Sequence, residues 1–259
     1  MSTMKSIGFV SIKGGCGKSS LAILTAKRLA QRGLKILFID CDVQNSASFH
    51  LQRDAEDSEK KNIAKALMDG DLAGNIVPSN YSENLELIPS AFGLLKLRGI
   101  SQRTMSVIIG QLKGKYDVVV VDSAPTLDNI VLNVAFAVDE ILTPCAPATF
   151  DWKTTLFIRD QLSMELGGEV LKKWHVLRNM WRSARSDSPN AIANQYDALL
   201  EESVKGHLLE SRIYESAFVK QVIDFGVALN RNSKSEKLLE NLDAVIKEVL
   251  GDIPDQDGV

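Results

Sequence analysis

Lys13-Gly14-Gly15-Cys16-Gly17-Lys18-Ser19-Ser20 decides how this chain is read. An apolar run, Ile7-Gly8-Phe9-Val10-Ser11-Ile12, precedes it and has the character of a buried strand over residues 6–12. The stretch Leu21-Ala22-Ile23-Leu24-Thr25-Ala26-Lys27-Arg28-Leu29-Ala30 follows and predicts a helix that starts near Ser19 and stops before Gly33. Strand, glycine-rich turn, Gly-Lys-Ser and helix, in that order, make a phosphate-binding loop. The glycines let backbone N–H groups curl around phosphate oxygens, and the helix N-terminus adds partial positive charge. A turn that bound nothing would have no reason to carry Lys and Ser at the mouth of a helix. Two features set this loop apart. Ile12 stands where a glycine is usual, and an additional lysine, Lys13, opens the loop.

The rest of the expected site is spread along the chain. Lys18 is expected to reach the β- and γ-phosphates of a nucleotide, with the Ser19 hydroxyl on Mg2+. The run Val118-Val119-Val120-Val121 is the clearest buried strand, and Asp122 ends it. A carboxylate there faces the loop and can hold the magnesium through water, after which Ser123-Ala124-Pro125 turns the chain away. The simpler alternative is an Asp that caps the next helix. Asp40 and Asp42 close a second strand, Lys35-Ile36-Leu37-Phe38-Ile39-Asp40. Side chains two apart on a strand share a face. If the strand persists, both carboxylates face the phosphates, one supporting the magnesium shell and the other orienting the attacking water.

Composition bounds these readings. The 259 residues are 45% hydrophobic and 24% charged, ordinary for a globular chain. They are read as a single α/β domain over residues 1–250 with an acidic, frayed tail at 251–259. Short apolar runs alternate with helical patterns, which predicts a mostly parallel twisted sheet with helices on both faces. Further strands are expected at residues 85–89, 140–144 and 174–178, and from about Asn190 the pattern is mainly helical, closing with Glu236–Leu250. The net charge of −3 predicts no polyanion partner in bulk, so a DNA surface would be a local patch. Cys16, Cys41 and Cys145 form no CxxC pair, which argues against a disulfide frame, zinc or an iron–sulfur cluster and for a reducing, cytoplasmic setting. No apolar run approaches the ~18 residues of a membrane span.

Residues 13–20, the segment Asp40-Cys41-Asp42-Val43-Gln44-Asn45, and Asp122-Ser123-Ala124-Pro125 together resemble the deviant Walker-A ATPases of the MinD/ParA superfamily, and most closely the ParA/Soj partition ATPases. The resemblance is strong over residues 5–150. Val43 and Ala124 depart from it, since relatives usually carry proline there. It implies a P-loop NTPase fold with ATP and Mg2+ as cofactors. The nucleotide is cradled by Lys13, Gly14, Gly15, Cys16, Gly17, Lys18, Ser19 and Ser20. It also implies an ATP-dependent sandwich homodimer, with Gly14 at the dimer contact and Lys13 reaching the partner's nucleotide, while Asp42 activates water. Asp40, Asp122 and Ser19 serve the metal. ATP then acts as glue between subunits, and hydrolysis removes the preference.

The family implies a slow ATPase, stimulated by DNA and a ParB-like activator or cargo adaptor, that partitions plasmid, chromosome or other cargo on the nucleoid. DNA contact without sequence preference is expected from Arg212, Lys220, Arg231, Lys234 and Lys237. A second basic run is Lys172, Lys173, Arg178, Arg182 and Arg185; its alternative role is to border the nucleotide, with Asn179 reading the base. Two other functions compete. A membrane-associated division-site ATPase of the MinD type needs a basic amphipathic C-terminal helix, whereas residues 251–259 are acidic, so no membrane partner is expected. A P-loop metabolic enzyme has no need of Lys13.

Overall fold

The computed structural model describes residues 4–52, 57–97, 99–182 and 191–253. β1 (Lys5–Phe9) leads through the loop into α1 (Lys18–Gln31), and β2 (Ile36–Cys41) into the short α2 (Ser46–Leu51). After α3 (Asp57–Lys60) and α4 (Ile63–Asp69) come β3 (Val77–Pro78), β4 (Leu85–Ile88), α5 (Thr104–Gly110) and β5 (Val118–Ser123). The chain continues through α6 (Asn129–Ala137), β6 (Glu140–Cys145), α7 (Thr149–Leu166) and β7 (Trp174–Trp181). It closes with α8 (Ala191–Ser203), β8 (Leu208–Tyr214), α9 (Ala217–Phe225) and α10 (Glu236–Leu250).

The eight strands form one sheet in the order β3-β4-β2-β5-β1-β6-β7-β8. Every pairing is parallel except β3 with β4. Strands covered on both sides must be apolar throughout, and the valines of β5 are all buried. One face of the sheet packs on α1, α2, α9 and α10, the other on α4 to α8. The β1-to-β2 connection therefore runs over one face and the β5-to-β6 connection over the other. β1 and β5 are neighbours, so a crevice opens at their carboxyl ends, where ligands of such sheets bind. Phe9 pairs with Asp122 and Asp40 with Asp122, which brings three separate stretches of sequence to that crevice.

Several expectations are corrected. β1 ends at Phe9 rather than Ile12, and residues 10–12 already belong to the approach to the loop. β7 runs on to Trp181. The region beyond Asn190 is not simply helical, because β8 adds an edge strand to the sheet. Its Glu210 and Arg212 break the apolar pattern, and its register slips from Val176↔Leu208 to Arg178↔Arg212. The bulge is satisfied from outside the ladder. The Glu248 carboxylate accepts from the N–H groups of Glu210 and Ser211 at 2.7 and 2.9 Å, and Arg178 donates to the Leu209 carbonyl at 2.7 Å.

Candidate nucleotide site

Gly17, at φ 88°, turns the chain into α1 in a conformation that suits glycine alone. A Cβ there would also lie 2.4 Å from Asn179 Nδ2. Residues 13–20, Asp42 and Pro125 enclose a cavity of about 190 Å³ at the N-terminus of α1. Lys18, 5% exposed, places Nζ 2.9 Å from Asp122 Oδ1 and donates to the Ser123 carbonyl. Its ammonium is also 3.5 Å from Ser19 Oγ. Burial raises the Asp122 carboxyl above its ordinary range, while Lys18 and the Ser19 hydroxyl oppose that shift. Lys13 is different. Its backbone is fixed, with N–H donating to Ser11 Oγ at 3.2 Å and carbonyl accepting from the Cys16 thiol at 3.2 Å. Its ammonium makes no hydrogen bond or ion pair to a described residue, although its charge is felt by Asp151 in α7.

β2 stops at Cys41, so the alternation argument does not carry through to Asp42. Asp42 instead lies in the turn beyond the strand, lines the cavity, and accepts from the Gln44 N–H at 2.9 Å. Asp40 is fully buried behind it. One Asp40 oxygen accepts from the Asp42 N–H at 3.0 Å, and the other from the Ser48 N–H and hydroxyl at 2.8 and 2.6 Å. Burial, then the charge of Asp122, push the Asp40 carboxyl up to about 7 against those donors. The two aspartates thus occupy different layers: Asp42 faces the cavity and Asp40 holds the turn that presents it.

Ser19 and Asp122 supply the oxygen donors a magnesium ion prefers. The described residues contain no cluster of three or more His, Cys, Asp or Glu able to hold a metal, so the remaining ligands would come from phosphate oxygens and water. The donor set fits magnesium bound with a nucleotide.

Beside the loop, a second cavity of about 110 Å³ is lined by Gly17, Leu21, Leu24, Asn179, Met180 and Tyr214, among others. Its lining is mostly apolar. Asn179 Nδ2 donates to the Cys16 carbonyl at 2.7 Å, joining the end of β7 to the phosphate loop. The next residue, Met180, is held at φ 55°, unusual for a side chain of its size. Asn179 is joined in this lining by Met180, Ile213 and Tyr214, which come together only where β7, β8 and α9 meet and which no local pattern in the sequence marks.

The basic residues separate into groups. Arg231 and Lys234 are exposed in the turn before α10, and Lys237 follows on its first turn, over the Tyr214 ring at 4.7 Å. Arg231 has only loose acidic company, Glu236 at 3.8 Å and Glu240 at 4.0 Å. Lys220 borders the second cavity. Arg212 lies elsewhere, 3.4 Å from Asp197 in the groove between β8 and α8. The other basic run is neutralised: Arg178 is buried against Asp197 and Glu201, Arg182 pairs with Glu215, Lys172 with Glu169, and Lys173 donates to the carbonyls of Phe136 and Val138. Arg185 lies outside the described residues.

A doubly covered parallel sheet with this loop and these carboxylates at its carboxyl edge defines a phosphate-loop nucleotide-binding protein. Residues 4–157 match the family described as "AAA domain". The chain belongs to that family and, within it, to the ParA/Soj-type partition ATPases. It is 29% identical over 266 residues to Maintenance of carboxysome distribution protein A of Gloeothece citriformis, covering 96% of this chain and 97% of that protein. It is 26% identical over 258 residues to the Virulence plasmid ParA family protein pGP5-D of Chlamydia psittaci, covering 95% and 96%. A plasmid partition protein of Borrelia burgdorferi, solved with AMPPNP, superposes with a TM-score of 0.74 at 25% identity, covering 94% of this chain and 99% of that one.

Proposed function

We propose that this chain is an ATP-dependent dimerising ATPase that binds DNA without sequence preference and partitions or positions a cargo. The observation that carries the reading is the convergence of Lys18, Ser19 and Asp42 on one cavity, with Asp122 held behind it by Lys18 and with the Lys13 ammonium free of any hydrogen bond or ion pair to a described residue. The AMPPNP-bound relative supports ATP as the nucleotide. Lys18 exchanges Asp122 and the Ser123 carbonyl for β- and γ-phosphate oxygens, and the freed Asp122 would hold magnesium together with Ser19. The ion would supply positive charge against the charge that develops on transfer. Asp42 orients the attacking water. Asp40 pairs with Asp122 across β2 and β5 and steadies the Asp42 turn. The Asn179 end of β7 bounds the base.

Lys13 crosses to the partner's phosphates at a contact centred on Gly14, so neither site is complete alone. ATP binding then stabilises the dimer by its differential affinity. Turnover is slow until DNA and a ParB-like activator or cargo adaptor engage the dimer. Arg231, Lys234 and Lys237, flanked by Lys220, give phosphate contacts, with Arg212 the least available because Asp197 holds it. Among the described residues no helix is long and apolar enough to cross a membrane. The protein works in the cytoplasm on the nucleoid. Lys13→Ala should bind ATP normally yet sediment as a monomer with ATP; an ATP-dependent dimer in that variant would remove the role given to Lys13.

A further inference from the structure

Lys27 and His50 lie outside the phosphate cavity. Lys27 is in α1, the helix that carries the loop at its start, and is 5% exposed. No described carboxylate pairs with it. Its Nζ lies 2.7 Å from His50 Nε2 and 4.7 Å from the centre of the Tyr81 ring. The same imidazole also lies against the Ile223 backbone in α9. The bond to Lys27 needs a neutral ring with a nitrogen that accepts from the ammonium. Burial and the Lys27 charge keep it neutral by lowering His50 to about 4, and burial lowers Lys27 to about 8. A buried ammonium held only by neutral groups is destabilising by itself.

His50 stands near the end of α2, and the other end of α2 reaches the site. Asn45 N–H donates to the Asp42 carbonyl at 2.8 Å, and Ser48 holds Asp40, which holds the Asp42 N–H. α2 has only six residues and cannot keep its place by its own helical bonds. Three of its residues, Ala47, Ser48 and Leu51, are buried, whereas Phe49 is 82% exposed. One end of this short helix therefore holds the Asp42 turn, and the other is tied through His50 to α1 and α9.

We infer that Lys27 and His50 are positioning residues for hydrolysis: they bracket α2 between α1 and α9 and thereby set where Asp42 stands relative to phosphates bound at the start of α1. The inference rests on Asp42 as the water-positioning group.

The test compares ATP turnover and ATP binding in His50→Gln, His50→Leu, Lys27→Met and Asp42→Ala, each assayed well below its unfolding temperature. Glutamine keeps an acceptor for Lys27, so His50→Gln should hold kcat within about twofold of the parent. Leucine keeps the bulk without the bond to Lys27, and kcat should fall about tenfold while ATP affinity and KM stay within about twofold, since a small misplacement of a positioning group costs the chemical step rather than binding. Lys27→Met should lose the same amount, and the double variant no more than either, because both cut one link. Should His50→Leu not fold, Lys27→Met carries the test. Parental turnover in the bond-breaking variants, a loss that glutamine does not avoid, or ATP affinity falling in step with kcat would overturn the bracket. Normal turnover in Asp42→Ala would overturn the reading beneath it; an inactive Asp42→Ala beside a fully active His50→Leu would overturn the bracket alone.

Discussion

Two lysines of α1, Lys18 and Lys27, are equally buried and are held in opposite ways. Lys18 faces a carboxylate 2.9 Å away, a backbone carbonyl and a hydroxyl. Lys27 faces an imidazole and the flat of a phenol ring. The difference separates a working charge from a structural one. A cation that lines a cavity and leans on a carboxylate can change partners when phosphate arrives. A cation held by neutral groups of fixed geometry stays where it is and anchors what it touches.

The comparison breaks first at Lys18. Lys18→Ala removes the phosphate ligand and strands Asp122 in the interior, so stability should drop by about 3 kcal/mol. The same change should weaken ATP binding about 100-fold, since charge-assisted bonds are the strong ones. Urea unfolding and calorimetric titration read the two effects, and a variant that is stable and binds ATP like its parent would deny any exchange of partners. Next in size is Asp42→Ala. Its turnover should fall about 100-fold while ATP binding, dimerisation and DNA retention persist, because a positioned water-directing group acts on the chemical step. Smaller again is Arg231→Glu with Lys234→Glu. ATP binding should be untouched, and the slope of log affinity for DNA against log salt should shrink by about two, one for each lost phosphate contact. Retained slope and affinity would move the DNA face elsewhere.

A pH effect sharpens the comparison at Lys27. Its folded value of about 8 lies below the ordinary 10.5, so between those values the unfolded chain holds more protons than the folded one. Stability should therefore rise with pH through that window. Lys27→Met should abolish that part of the rise, as followed by thermal unfolding across pH.

What the sequence disclosed follows the same divide between local and assembled features. The loop and Asp122 were legible because each sits at the end of a continuous apolar run, and a strand end fixes where the next residue points. Asp42 was found, but the strand ends one residue short of it, so it reaches the cavity through a turn, with Asp40 behind rather than beside it. β8 stayed hidden because an edge strand with Glu210, Arg212 and a bulge carries no clean period of two. The run from Lys172 to Arg182 contains no acid, yet Asp197, Glu201 and Glu215 arrive from other elements to pair with it. Nothing in the spacing of His50 marked it, since its partners lie on α1 and α9.

In the proposed switch, ATP acts through a loop shared across two subunits to put the protein onto DNA. The most direct measurement is retention on duplex DNA of arbitrary sequence with ATP, with ADP and without nucleotide, across a salt series. Retention is expected with ATP alone, weakening steeply as salt rises. Equal retention in all three conditions, or ATP-dependent capture by anionic vesicles in place of DNA, would contradict it.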